Sequence, residues 1–247
     1  MNREAQSVVL FLLGGAILRI SLTDVYLRYV KEGLRPFLLV AGVLLVVIAA
    51  VTLYREVFAP SAATDEAAEE LHDGPAERGH THHRGPRVAW LLVLPVLAVF
   101  LVGPPALGSY AASRGGTSVA KQSEYAPLPP GDPVPLPVLD YASRAVWDRG
   151  ASLGDRRVRL TGFVSPRPGG GVYLTRMILT CCAADGRPVK VGLSGDVPAG
   201  LTADTWLEVT GRYDQRADRD TANDETIPYL AVESVRPVAQ PAQPYEQ

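Results

Sequence analysis

The chain has 247 residues, and 24 lysines and arginines against 26 aspartates and glutamates give it a formal net charge of -2. This near balance excludes a strongly basic nucleic-acid-binding protein, because such proteins carry a large cationic excess. The chain has only two cysteines, which excludes a disulfide-rich scaffold.

The first half of the chain carries three long apolar stretches, at residues 7–22, 36–54 and 88–107. A bilayer core about 30 Å thick takes roughly 20 mostly apolar residues to cross as a helix. The second and third stretches meet that length, and the first does so only if its helix continues through Asp24. A cleaved signal sequence is the competing interpretation of the first stretch, but residues 1–4 are not net basic and no small-residue cleavage site follows. The pattern predicts a multi-pass protein of the cell membrane, with three transmembrane helices in residues 1–112 that contact the lipid bilayer.

The loop between the second and third predicted helices, residues 55–87, contains every histidine of the chain. An acidic run at residues 65–70 precedes them, and the four are His72, His80, His82 and His83. Short histidine-rich tracts can bind metal through neutral imidazole, so an exchangeable metal site is one interpretation. The other is a solvated polar loop, which the lack of cysteine ligands and of a fixed spacing favours.

The segment after the third stretch is rich in proline, glycine and serine and poor in cations. This composition favours extended polyproline geometry, so residues 113–137 are predicted to be a linker. Basic residues are equally numerous on the two sides of a three-helix topology, so the positive-inside rule gives no orientation. The low cation content of the linker favours an extracytoplasmic carboxy-terminal domain.

The remaining residues, 138–247, read as a small β domain that opens with a helix at 138–148. Runs typical of strands follow at 157–164, 172–180, 189–193, 206–211 and 229–235. They alternate in polarity and are punctuated by glycine and proline. Five short strands favour a small, mostly antiparallel barrel, with an OB-like barrel as the best fit, and a glycine inside a strand marks a bulge or bend. The predicted fold class is membrane-anchored α + β. The aromatic residues of the domain are too scattered to stack nucleic-acid bases, so no nucleic-acid partner is predicted.

The most distinctive segment of the β domain contains Cys181 and Cys182, followed by Asp185. Adjacent side chains of a strand point to opposite faces, so one cysteine is expected to face the core and the other to be more open. Three interpretations remain: small buried apolar residues, a metal site in which thiolates and Asp185 bind zinc or copper, or a redox pair that forms a strained disulfide. Residues 138–247 contain no histidine, so no Cys–His catalytic pair is predicted there.

Several segments of the chain resemble a known family. They are RLTGFV (159–164), MILTCCAADGRPVKV (177–191), DTWLEVTGRY (204–213) and PAQPYEQ (241–247). Together with the membrane helices and the histidine loop, they are similar to the YcgQ-like family of permease subunits, and the resemblance covers nearly the whole chain. Cys181, Cys182 and Asp185 occupy the motif positions, whereas Gly186 stands where an alanine is common. The resemblance implies an accessory, non-catalytic subunit that acts beside a multi-span permease encoded nearby, as its partner in a two-gene transporter.

A second function remains open from the residues themselves, namely a membrane-anchored metal-binding or thiol-redox protein. On either hypothesis the β domain is a binding module for a substrate, a metal or the permease. The sequence shows no nucleophile–base set, phosphate-binding loop or supported carboxylate pair, so no enzymatic activity is predicted.

Overall fold

The structure is a computed structural model that describes residues 3–58 and 105–246. The chain divides into two compact units. The described part of the first, the helical unit, is residues 3–23 with 36–58, and that of the second, the barrel unit, is residues 24–35 with 105–246. The predicted histidine loop lies outside the described residues except for its first four positions, and the third predicted helix lies outside them except for its last three.

Two apolar helices form the described part of the helical unit, α1 (Arg3–Leu22) and α2 (Arg35–Phe58). They pack closely where glycines remove side-chain bulk. A Cβ atom added to Gly14 would lie 2.9 Å from Cγ2 of Val46, and one added to Gly42 would lie 2.8 Å from Cγ of Leu18. Small residues at such positions let membrane helices approach each other.

Of the three predicted membrane spans, the structure supports one as long and apolar enough among the described residues. Among the described residues, one helical segment, Glu32–Arg55, is long and apolar enough to cross a membrane. The apolar part of α1, Gln6–Leu22, is shorter, because α1 ends at Leu22 and a 3₁₀ helix, Asp24–Arg28, follows it. The first helix therefore does not continue through Asp24 as a full span requires. Length and composition this close to the amino terminus are also compatible with a signal sequence.

The barrel unit contains two helices and seven strands. The helices are α3 (Ser109–Arg114) and α4 (Val138–Trp147), and α4 lies where the sequence predicts a helix. The strands are β1 (Val134–Pro135), β2 (Val158–Pro166), β3 (Val172–Ile178), β4 (Arg187–Gly195), β5 (Trp206–Arg219), β6 (Thr226–Pro237) and β7 (Tyr245–Glu246).

Five of these strands close into a barrel. β2 pairs antiparallel with β3 and β5, β3 with β4, and β5 with β6, while β4 pairs parallel with β6. The short strands β1 and β7 add to β2 and β3 in parallel. The predicted small, mostly antiparallel β-barrel is confirmed. Gly211 lies at a register shift between β5 and β6, where a Cβ would overlap the carbonyl oxygen of Ala231, so this glycine marks a bulge as expected.

The predicted linker, residues 113–137, packs against the barrel in the structure. Thr117 is fully buried, and its backbone N–H donates to Oδ2 of Asp220 at 2.7 Å. The same oxygen accepts a hydrogen bond from Nζ of Lys190 at 2.9 Å, and that ammonium also donates to the carbonyl oxygen of Gly115 at 2.9 Å. A buried ion pair therefore fastens this segment to β4 and to the end of β5.

These hydrogen-bond partners keep the carboxyl group of Asp220 ionised. Burial by itself raises the pKa of its carboxyl group, but the hydrogen bonds from Lys190 and from the backbone N–H groups of Ala222 and Thr117 lower the pKa below its ordinary value. The pair therefore stabilises the fold fully above the unfolded-state pKa of about 3.9, and this stabilisation is lost as the pH falls through the lower folded-state value.

Replacing Asp220 with alanine should destabilise the barrel unit by about 3–5 kcal/mol, because it leaves the buried charge of Lys190 unpaired. Thermal unfolding of the full chain in detergent measures the loss, and limited proteolysis should cut the released segment 113–137. The control is Glu225→Ala, at an exposed carboxylate nearby, which should change stability by no more than about 0.5 kcal/mol. Equal effects of the two substitutions would contradict the role of the pair.

Candidate functional site

The Cys181–Cys182 pair lies just after a strand and not within it. The strand predicted to reach residue 180 ends at Ile178 as β3, and a 3₁₀ turn, Ala183–Asp185, follows the cysteines. Cys181 is exposed and Cys182 is partly buried. The expected difference in exposure between the two is present, but it comes from a turn and not from the alternation of a strand, and the exposure of Cys181 does not fit a buried apolar residue.

Asp185 organises this turn through its carboxylate. Its Oδ1 accepts a hydrogen bond from the backbone N–H of Thr180 at 2.9 Å, and its Oδ2 accepts hydrogen bonds from the N–H groups of Cys181 at 2.8 Å and Cys182 at 3.4 Å. The turn brings the two Sγ atoms and a carboxylate oxygen of Asp185 within 4.8 Å of one another. The structure thus brings together the three residues predicted to bind metal in the β domain.

The electrostatics of the turn favour a protonated thiol beside an ionised carboxylate. The hydrogen bond between the Cys181 thiol and Asp185 is the main reason that the pKa of Cys181 is raised to about 11 and the pKa of Asp185 is lowered to about 2. Backbone N–H groups of Thr180 and Cys181 lower the pKa of Asp185 further. A metal ion that binds here must displace a proton from this thiol, so its affinity should fall as the pH falls.

The four histidines predicted as metal ligands, His72, His80, His82 and His83, lie outside the described residues. Within the part of the chain that the structure describes, the only group of three or more cysteine, histidine or acidic side chains close enough to share an ion is Cys181, Cys182 and Asp185.

Sequence reasoning missed the segment that pairs with the cysteine turn. Residues of the loop between α1 and α2 pair with it through their backbones. The N–H of Lys31 donates to the carbonyl oxygen of Cys181 at 3.0 Å, and the N–H of Ala183 donates to that of Tyr29 at 2.7 Å. Val30 and Cys182 form an antiparallel bridge. Backbone pairing of this kind leaves no residue signature, so no motif could have revealed it.

The carboxy-terminal motif also contacts this loop. The hydroxyl of Tyr245 donates to the carbonyl oxygen of Arg28 at 2.8 Å and accepts a hydrogen bond from the N–H of Leu107 at 2.8 Å. The carboxylate of Glu246 accepts hydrogen bonds from the first two N–H groups of α4, those of Val138 and Leu139. Two of the four segments that carry the resemblance, 177–191 and 241–247, therefore hold distant parts of the barrel unit together.

Replacing Asp185 with asparagine in a Cys182→Ser background should lower the pKa of Cys181, because the carboxylate that stabilises the protonated thiol is gone. Alkylation of Cys181 by iodoacetamide at pH 8 should then be faster by roughly tenfold or more, since the thiolate is the reacting form. An asparagine oxygen can still accept a backbone N–H in this turn. Glu208→Gln in the same background, on β5, is the control. An unchanged pH profile in the asparagine variant would contradict this account of the thiol.

Two family models match the chain, one in each half. Residues 5–118 match the DUF1980 N-terminal domain, and residues 148–246 match the DUF1980 C-terminal domain. No curated protein and no solved structure matches the chain. The two matches fit the YcgQ-like resemblance in a general way. The chain contains both the N-terminal and the C-terminal DUF1980 domains.

Proposed function

We propose that the chain is an accessory, non-catalytic subunit of a membrane permease, which holds a β domain at the membrane surface beside the transport path. The observation that carries this proposal is the backbone pairing between the loop that precedes α2 and the cysteine turn of the barrel unit. Because of it, the residues that lead directly into α2, a candidate membrane helix, are part of the barrel unit. Such a position suits a module that presents a bound substrate, or the barrel itself, to a partner in the same bilayer.

The same pairing supports a topology with three spans. The loop before α2 belongs to the barrel unit, so a spanning α2 ends near Phe58 on the opposite side of the membrane. The chain rejoins the barrel unit at Pro105 and must cross back before that point. The uncharged stretch 88–107 has the required length. These two spans make the protein multi-pass and place the histidine loop and the barrel on opposite sides. The proposal keeps α1 as the third membrane helix, although its apolar part, Gln6–Leu22, is shorter.

Two further features favour a transport role for this arrangement. The barrel order β2-β3-β4-β6-β5, with β4 and β6 parallel, supports the proposal of an OB-like barrel, an architecture that serves for ligand binding. α2 leaves most of its large apolar side chains exposed, for example Phe37 and Ile48, and α1 also exposes several, such as Phe11. This surface is available to lipid and to a permease. Three spans without an inverted repeat are too few for a transport path of their own. The low cation content of residues 113–137, which contain only Arg114 and Lys121, favours an extracytoplasmic barrel.

The full chain should co-purify from membranes in mild detergent with the multi-span permease encoded nearby, at a fixed ratio. Lys31 offers a matched pair of variants, because its φ of -59° suits proline and its N–H donates to Cys181. Lys31→Pro removes that hydrogen bond, at a cost of about 1–3 kcal/mol, and should reduce the recovered permease, whereas Lys31→Ala keeps the bond and should leave recovery unchanged.

An unrelated multi-span protein expressed at the same level is the specificity control. Absence of any association in mild detergent, or recovery of the chain in the soluble fraction without detergent, would overturn the proposal. Equal recovery with the proline and alanine variants would show that the pairing of loop and barrel does not carry the function.

The second candidate function is a membrane-anchored metal-binding or thiol-redox protein, which the cluster of Cys181, Cys182 and Asp185 favours. Two thiols with a carboxylate nearby suit zinc or copper(I), and the exposure of Cys181 leaves room for a further ligand. Asp185 uses both oxygens for backbone N–H groups, but a carboxylate has about four acceptor sites, so it retains capacity to bind an ion.

The full chain in detergent should bind one zinc or copper(I) ion if this second function is correct, and replacing both cysteines with serine should abolish that binding. The control replaces His72, His80, His82 and His83 with alanine and should leave the cysteine-dependent ion in place, because the proposed topology separates the two sites. Binding retained in the serine variant would exclude the cysteines, and no binding by the unaltered chain would exclude this function. Equilibrium dialysis with metal analysis measures both.

A further inference from the structure

An open groove on the barrel unit takes no part in the functions proposed above. It has a volume of about 450 Å³, which lies within the range of ligand pockets. Pro105, Leu107 and Tyr110 line one side, and Phe163 and Trp206 line the other. The rings of Phe163 and Trp206 meet edge to face at 5.6 Å. The groove is therefore mainly apolar and aromatic, and Tyr110 at its rim is 72 % exposed.

The buried residues Phe163 and Arg176 hold the aromatic side of the groove in place. Phe163 is buried in the barrel unit, and the guanidinium group of Arg176 lies 4.7 Å from the ring centre of Trp206. Arg176 is itself buried and donates to the carbonyl oxygen of Gln243 at 2.7 Å. The indole is thus a fixed part of the surface.

The groove lies where the chain enters the barrel unit. Leu107 is the last residue of the third apolar stretch. Its N–H donates to the hydroxyl group of Tyr245, which in turn donates to the carbonyl oxygen of Arg28. Arg28 lies six residues after the end of α1. Gln240 lines both the groove and a neighbouring cavity formed with Asp24 and Arg28. The rim of the groove is therefore contiguous with the loop that connects the two apolar helices.

Two arginines lie beside the groove: Arg114 stacks on the ring of Tyr110 at 4.7 Å, and Arg28 lines the neighbouring cavity together with Asp24. The groove itself contains the carboxylate of Asp204, whose two oxygens accept hydrogen bonds from the N–H and the hydroxyl group of Ser109. Tryptophan and tyrosine are enriched at the level of lipid headgroups, where their rings are partly apolar and partly polar. Arginine and lysine at that level attract anionic headgroups.

We propose that this groove face, formed by Pro105, Leu107, Tyr110, Phe163 and Trp206, rests on the lipid bilayer. The groove then takes up the headgroup ends of acyl chains from the adjoining leaflet. The proposal depends on the membrane location assigned under the proposed function. It identifies the occupant as lipid, because the apolar lining follows directly in sequence on the uncharged stretch at residues 88–104 and the two adjacent arginines, Arg114 and Arg28, match lipid phosphates.

The test uses the full chain in nanodiscs without any permease. Replacing Trp90 and Trp147 with phenylalanine leaves Trp206 as the reporter. Replacing Trp90 and Trp206 with phenylalanine leaves Trp147, at the far end of α4, as the control. Lipids brominated near the headgroup end of the acyl chain should quench the emission of Trp206 and leave that of Trp147 unchanged. Tyr110→Glu, at an exposed position, should abolish the quenching of Trp206, whereas Gln215→Glu, exposed on β5, should preserve it.

Absence of quenching at Trp206, or equal quenching of the two tryptophans, would overturn the proposal. Shielding of Trp206 that appears only when the permease is added would assign the groove face to the permease and would also overturn it. Extraction of the chain from membranes by carbonate reports separately on the membrane location. A chain that resists extraction but shows no quenching therefore refutes the lipid contact while leaving the proposed function intact.

Discussion

The hydroxyl group of Tyr245 joins three parts of the barrel unit that are far apart in the chain. It donates to the carbonyl oxygen of Arg28 and accepts the N–H of Leu107, while the next residue, Glu246, accepts the first N–H groups of α4. An N–H at the start of a helix has no partner within that helix, so the carboxylate also completes α4. Burial is the main reason that the pKa of Glu246 is raised. The loop between α1 and α2, the segment before α3 and helix α4 all depend on these two residues.

The barrel itself was predictable, because β2 and β5 begin with alternating buried and partly buried residues, although β3 and β4 are each buried at five consecutive positions. β2 is buried at Val158 and Leu160 and less so at Arg159 between them, which is the alternation that the sequence shows. β5 extends to Arg219, eight residues beyond its predicted end, because its last part lies outside the core and is polar. Hydrophobic patterning reports burial, so it misses the part of a strand that is held by backbone pairing and polar side-chain contacts, such as those of Asp214 with Ser194 and of Asp218 with Tyr229.

The candidate site was predicted in its residues but not in its geometry. The residue types identified Cys181, Cys182 and Asp185, yet the expected geometry assumed a strand, whereas the carboxylate of Asp185 folds the chain into a turn. The pairing of this turn with Tyr29 and Lys31 could not be read from the sequence, because every chain carries the same backbone donors and acceptors. The packing of residues 113–137 was missed for a related reason. Their composition is that of a linker, but the buried Thr117 and the ion pair of Lys190 and Asp220 hold them against the barrel. These residues lie far apart in the sequence.

The hydrogen bond between Tyr245 and Arg28 joins residues 217 positions apart, so its two partners are synthesised at very different times. The ribosome makes α1, α2 and the loop between them long before it makes Tyr245. This loop can pair with the cysteine turn once residues 181–183 have been made, but its hydrogen bond to Tyr245 forms only after β6 is complete. The barrel unit therefore reaches its full set of contacts late in its own synthesis.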